Sequence, residues 1–155
     1  VFGVDYRVES SGKMPWDDGT FDVVWSHAVL EHVREPALVL TESRRVLKPG
    51  GTFIAYIDLL DHYWDRRDPA EMFGFFRYSE RTWRWMTSNR SAYCNRLRAS
   101  EWSPLLADSG FDVLSEQSQP TSASLDSLRA IPFLAGISDD DLQAADLTVV
   151  ARVQP

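Results

Sequence analysis

A single cysteine, Cys94, stands in a chain of 155 residues. It cannot close an internal disulfide, and such usage suits a reducing compartment. Positive charge is also short: 16 Lys and Arg face 23 Asp and Glu, for a formal net charge of -7. A phosphate-binding surface needs a basic excess, so nucleic acid is not expected as a partner, although arginines gather locally between Arg77 and Arg98. Long apolar runs are missing too. The longest, such as Phe53 to Ile57, fall far short of the ~20 residues a membrane helix needs. No basic-then-apolar leader opens the chain, and the first residue is Val1 rather than Met. These shortages lead us to expect a cytoplasmic protein without membrane association. What remains is a chain that is 44% hydrophobic, enough for the core of one domain spanning residues 1–155.

The stretch from Met14 to Asp58 organises that domain. Val1 to Val8 is β-branched and aromatic and reads as a short strand. Glu9 to Gly19 is turn-rich. Phe21 to Trp25 is nearly continuous apolar sequence, which suits a strand buried on both faces of a parallel sheet. Ser26 to Val33 reads as a short helical turn. Pro36 fits a helix first turn, and the apolar positions from Ala37 to Leu47 keep roughly one face. Lys48-Pro49-Gly50-Gly51 stops that helix, and Thr52 to Ile57 is the next strand. Strand, helix, strand at this spacing is a βαβ unit with a right-handed crossover. Residues 59–99 then break the rhythm with aromatics and interleaved arginines. This insertion reads as a lid on the acceptor side, or as plain structure with core aromatics and a solvated arginine face, with its clearer helix starting after Ser79. Ser100 is a candidate cap for a helix over Glu101 to Ser109, ended by Gly110. Phe111 to Glu116 and Leu147 to Val153 read as strands, with short helices near Leu125 and after Ser138.

Four elements of this sequence together resemble a known family. They are Pro15-Trp16 with Asp17-Asp18-Gly19, Phe21-Asp22-Val23-Val24, Leu30-Glu31-His32-Val33, and Arg45-Val46-Leu47-Lys48-Pro49-Gly50-Gly51. In this order and spacing they look like the second half of a class I S-adenosylmethionine-dependent methyltransferase, of the type 11-like group. Ile57 to Tyr63, Arg77-Tyr78-Ser79, Asn95-Arg96-Leu97 and Ser109-Gly110-Phe111 extend the likeness toward members that act in glycan or other small-molecule biosynthesis. The resemblance implies an α/β, doubly wound, Rossmann-like sheet with an antiparallel C-terminal strand. It implies S-adenosyl-L-methionine as cofactor and a small-molecule or glycan precursor as acceptor. Family members begin with a strand and a glycine-rich loop for the cofactor. Here Gly3 is isolated and Gly12 is misplaced, so the sheet is expected to lack its first strands. The family places those strands between the third and fourth. Their loss would leave Phe21 to Trp25 with a bare edge, and either a rearranged pairing of Val1 to Val8 or poor solubility. A second reading is a non-catalytic fragment or interaction module that cannot bind cofactor.

Sites in open α/β sheets lie beyond the carboxyl ends of the strands. The resemblance puts Glu9, Ser10 and Ser11 against the adenine, and Ser26, His27 and Ala28 around the methionine portion. It also gives His32 a cofactor-side position. The plain alternatives are a polar turn for the serines and a packed helix residue for either histidine. Asp58, Asp61 and His62 form the candidate catalytic group. A carboxylate at a strand end with a histidine four residues on can form a pair that accepts a proton from the acceptor. The same three residues could instead hold a divalent ion, but no further ligand clusters nearby in sequence, and no metal is expected. Arg77, Asn95 and Arg96 could hold an anionic or sugar acceptor beside aromatic faces. Cys94 has no histidine near it in sequence and reads as merely buried.

Overall fold

The computed structural model describes residues 3–8, 12–63, 65, 68–88 and 93–154. Four strands form one sheet in the order β1-β2-β4-β3. They are β1 (Phe21–His27), β2 (Leu47–Asp58), β3 (Phe111–Gln117) and β4 (Asp146–Val153). β1 and β2 run parallel, and β4 inserts antiparallel between β2 and β3. The α/β class and the antiparallel C-terminal strand are therefore as expected. The helices are α1 (Pro36–Val46), α2 (Glu80–Met86), α3 (Ala99–Asp108), α4 (Leu125–Arg129) and α5 (Asp139–Gln143).

Alternation along β2 and β4 decides where the core lies. Phe53, Ala55 and Ile57 share a buried face with Val149, Ala151 and Val153. Leu40 of α1 and Trp102 and Leu106 of α3 close over it. Burying such side chains stabilises the fold by about 1.5–3 kcal/mol each. Thr52, Ile54, Tyr56 and Val150 line the other face and are only half-buried.

Two expectations for the N-terminal part are corrected. Residues 3–8 form no strand and lie exposed, because no neighbouring strand offers them a ladder. β1 is not buried on both faces: it pairs with β2 alone, and Val23 and Trp25 are 53% and 70% exposed. The bare edge anticipated for this strand is present among the described residues.

The sequence motifs explain one another here. Arg45, at the end of α1, donates to the carbonyls of Met14 and Trp16, both at 2.9 Å, and pairs with Asp18 and Glu42. One guanidinium thus clamps the Pro15–Gly19 turn to the helix. Lys48 to Gly51 form a bulge, since Phe21 faces Leu47 while Val23 faces Thr52. Gly50 takes a φ of 72°, and a Cβ on Gly51 would sit 2.8 Å from the Lys48 carbonyl, so both positions need glycine.

The cap of α3 differs from expectation. Glu101 accepts from the Arg98 N–H at 2.8 Å, so the helix begins at Ala99 rather than Glu101. Ser100 instead donates to Asp141 through its backbone, at 3.0 Å, and its hydroxyl, at 2.7 Å. The Arg98 side chain is buried and donates to the carbonyls of Leu59, Asp141 and Ala144, tying the end of β2 to α5. Burial pulls its guanidinium down to about 10. Arg98→Met keeps the volume but strands these carbonyls. It is expected to destabilise the fold by about 2–4 kcal/mol, read as a lower urea midpoint at constant slope. An unchanged midpoint would contradict the assignment.

Candidate functional site

The carboxyl ends of β1 and β2 lie side by side, with Ser26 opposite Ala55 and His27 opposite Tyr56. Beyond β1 the chain turns sharply. Ala28 adopts a φ of 50°, rare for a residue with a Cβ, while its N–H donates to the Tyr56 carbonyl at 2.9 Å. A 3-10 turn over Leu30–His32 comes next. Leu30 drops into the core, which brings Glu31 and His32 over the sheet end.

Asp58 and His62 meet as expected. Asp58 Oδ2 lies 3.3 Å from His62 Nε2, and its other oxygen accepts from the Leu60 N–H at 2.9 Å. That second bond fixes the carboxylate, so the imidazole has one orientation to adopt. The His62 side chain stays 27% exposed, accessible to an acceptor molecule. Asp61 is placed differently. It is 7% exposed, accepts from the Tyr63 N–H at 3.0 Å, and sits behind the turn that its own N–H closes onto Met72. Burial raises its carboxyl above the ordinary range, against the pull of the Tyr63 N–H. Its place is that of a turn-former beneath the pair.

His32 stands beside this pair. The rings of His32 and His62 meet edge to face at 4.7 Å. His32 Nδ1 lies 2.7 Å from the Tyr93 carbonyl, an acceptor only, so Nδ1 carries a proton and donates. His27 points away. It stacks on Tyr56 at 4.8 Å and lies on the exposed side of β1 with Trp25. Glu9, Ser10 and Ser11 lie outside the described residues.

The strap over residues 93–95 closes the site from the insertion side. Asn95 donates from its backbone to Glu31 at 2.8 Å, and from Nδ2 to Leu30 at 2.8 Å and Val33 at 3.1 Å. Its Oδ1 accepts from the Leu97 N–H. Arg96 donates to the carbonyls of Phe75 and Tyr78, at 3.1 and 2.9 Å, and pairs with Glu80. Both side chains are thus committed to the protein's own backbone, and their contribution is to position the strap. Arg77 differs: it pairs with Glu71 at 2.5 Å and lines a hollow of about 240 Å³ with Asp61, Tyr78 and Trp83. Many aromatics of residues 59–99 are core: Phe73, Phe75, Trp83 and Tyr93 are buried, and Trp83 donates to the Cys94 carbonyl at 2.8 Å.

Two residues to which the sequence assigns no site role lie here. Glu31 is 3% exposed, and neither carboxylate oxygen has a hydrogen-bond partner among the described residues. Burial pushes its carboxyl above the ordinary value. Cys94, which no motif and no sequence neighbour marks, lies beside His32 and His62 in space. A larger hollow of about 470 Å³ between β3, α3 and α5 lies at the same edge of the sheet, beside Leu147, which pairs with Ile57 of β2. It is open and holds no paired acid and base, so the ends of β1 and β2 remain the better candidate.

Residues 1–55 match the family described as a methyltransferase domain. Over 111 residues the chain is 30% identical to the ubiquinone biosynthesis O-methyltransferase of Rhizobium etli, covering 71% of this chain and 42% of that protein. The first third of the chain falls in the methyltransferase-domain family. Over 56 residues it is also 43% identical to the sarcosine/dimethylglycine N-methyltransferase of Halorhodospira halochloris, covering 34% of this chain and 20% of that protein. The chain thus spans less than half the length of these methyltransferase relatives. A solved S-adenosylmethionine-dependent methyltransferase from Mesorhizobium loti shares the fold, with a TM-score of 0.62 at 20% identity over 97% of this chain and 70% of that one.

Asn95→Ala removes the side-chain donor to the Val33 carbonyl and leaves the Leu30 carbonyl with the Val33 N–H alone, and is expected to cost about 1–3 kcal/mol. Asn95→Asp, of equal size but without the amide protons, should cost at least as much. Thermal melts of both variants check this. An Asp variant as stable as the parent would show that the strap does not depend on the amide.

Proposed function

We propose that this chain carries the acceptor side of an S-adenosylmethionine-dependent methyltransferase site, and that its acceptor is a small molecule or glycan precursor bearing an ionisable hydroxyl or amine. The observation that carries this reading is the Asp58–His62 pair at the carboxyl end of β2, open to solvent at the imidazole. The residues present fit the cofactor on one count. S-adenosylmethionine brings an ammonium and a sulfonium, and the unpartnered Glu31 carboxylate lies at the same strand ends. The backbone of Ser26 to Ala28 would lie along its methionine portion, with the strained turn at Ala28 setting its direction and the His27 ring on the other side. When bound, the cofactor supplies an electrophilic methyl group.

The chain's own residues supply position and a base. Asp58 holds the His62 imidazole through Nε2, so that Nδ1 is left to accept the acceptor's proton as its oxygen or nitrogen attacks. The resulting imidazolium is stabilised by the Asp58 carboxylate beside it. The relatives are named for methyl transfer to oxygen in one case and nitrogen in another, and either acceptor loses a proton that such a base can take. The half-buried sheet face and the hollow at Arg77 give space for an acceptor of modest size.

Calorimetric titration with S-adenosylhomocysteine should give saturable micromolar binding. With methyl-labelled S-adenosylmethionine and a panel of phenols, sugars and amines, His62→Ala should lower turnover by about 10²–10⁴-fold and leave cofactor binding unchanged. Binding that persists with undiminished turnover in the variant would remove His62 as base. No binding at all would favour a non-catalytic role.

A further inference from the structure

Among the described residues, His32, His62 and Cys94 each present one ligand atom such that all three lie within 4.8 Å of one another. They come from three separate parts of the chain: the turn after β1, the segment after β2, and the strap. Nothing in the pairing of acid and base at Asp58–His62 requires a thiol there. We propose that His32, His62 and Cys94 form a binding site for a zinc-class divalent cation.

The chemistry of the set points to that class. Two imidazoles and a thiolate favour zinc over magnesium or calcium, which take oxygen ligands. Ligand atoms around one tetrahedral zinc lie roughly 3.5 Å apart, so closing the present spacing needs side-chain rotation only. The imidazoles are already oriented for it. The Tyr93 carbonyl holds the proton of His32 on Nδ1, and Asp58 faces His62 Nε2, so each ring has its other nitrogen to give. A carbonyl and a carboxylate in these positions are the usual supports of metal-bound histidines. The strap is fixed on both sides of Cys94, by Tyr93 to His32 and by Asn95 to Leu30, Glu31 and Val33. The surroundings favour a cation as well. Asp61, Glu31 and Asp58 add negative field at the sulfur. A bound ion offsets that field and releases the thiol proton as it binds.

Cys94 is buried and His62 is partly exposed, so the fourth position of the tetrahedron opens on the His62 side. An ion held there ties up the nitrogen that would otherwise accept a proton. Zinc occupancy and base catalysis by His62 therefore exclude one another, and zinc should inhibit methyl transfer. The binding proposal itself does not rest on the methyltransferase reading, and it is tested without cofactor.

The test is titration of the reduced, full 155-residue chain with Co²⁺ and Zn²⁺ alone. One equivalent of Co²⁺ should produce tetrahedral visible absorption with a thiolate-to-cobalt charge-transfer band, and Zn²⁺ should displace it. Cys94→Ser, a near-isosteric change, should abolish the charge-transfer band and weaken zinc binding by about 100-fold, with its thermal melt recording that it folds. His62→Ala, at the exposed member, should weaken binding similarly. Uptake without the charge-transfer band, uptake equal in wild type and both variants, or no stoichiometric uptake would each overturn the site. Failure to bind S-adenosylhomocysteine with zinc binding intact would count against the methyltransferase reading alone.

Discussion

The amide of Asn95 holds the candidate site together. It donates two bonds across more than sixty positions of sequence, to the carbonyls of Leu30 at 2.8 Å and Val33 at 3.1 Å. Those carbonyls belong to a three-residue 3-10 turn and its C-cap, whose closing bond runs from the Val33 N–H to Leu30 at 3.2 Å. The strap adds a second donor to Leu30 and one to Val33. In return the turn fixes Tyr93, Cys94 and Asn95 against the sheet. Without this exchange, His32 would have no carbonyl to orient its ring, and Cys94 would have no reason to lie beside two histidines.

The sheet beneath explains why the site sits where it does. β1 and β2 are parallel and end together, so the segments leaving the two strands emerge at the same edge of the core. β4, antiparallel and central, supplies the buried face that keeps both in register with the helices. β1 is covered on one side only. The exposed Val23 and Trp25 mark an edge whose backbone groups could accept another strand, a feature that soluble proteins usually blunt with charge or a bulge. Here the bulge at Lys48 to Gly51 and the ion pair of Lys48 with Asp22 sit at its near end.

Local signals carried the reading of β2 to β4 and of the helices. Alternation in Thr52 to Ile57 and Leu147 to Val153, Pro36 at a helix start, and helix starts after Ser79 and Ser138 all rest on signals within a few residues, and the structure caps both helices with those serines. The Asp58–His62 pair was legible for the same reason, being four positions apart. What escaped notice depends on contacts between distant segments. Cys94 could not be linked to His32 and His62 because only the fold brings them together. Asn95 and Arg96 read as acceptor ligands because polar groups in a loop look free until their carbonyl partners are known. Val1 to Val8 has strand composition, yet β propensity has no effect without a neighbour to pair with. Ser100 lost the cap of α3 to Arg98 because Asp141 competes for its hydroxyl.

The central claim is that His32 and His62 stand together, each with a fixed tautomer, at a site that receives the cofactor. Nitrogen-15 chemical shifts of the imidazole rings near pH 8 measure this directly. His32 should be protonated at Nδ1 and His62 at Nε2, and S-adenosylhomocysteine should shift both sets of resonances while leaving those of His27 nearly unmoved. Rapidly exchanging tautomers on both rings, or rings indifferent to the ligand, would contradict the account.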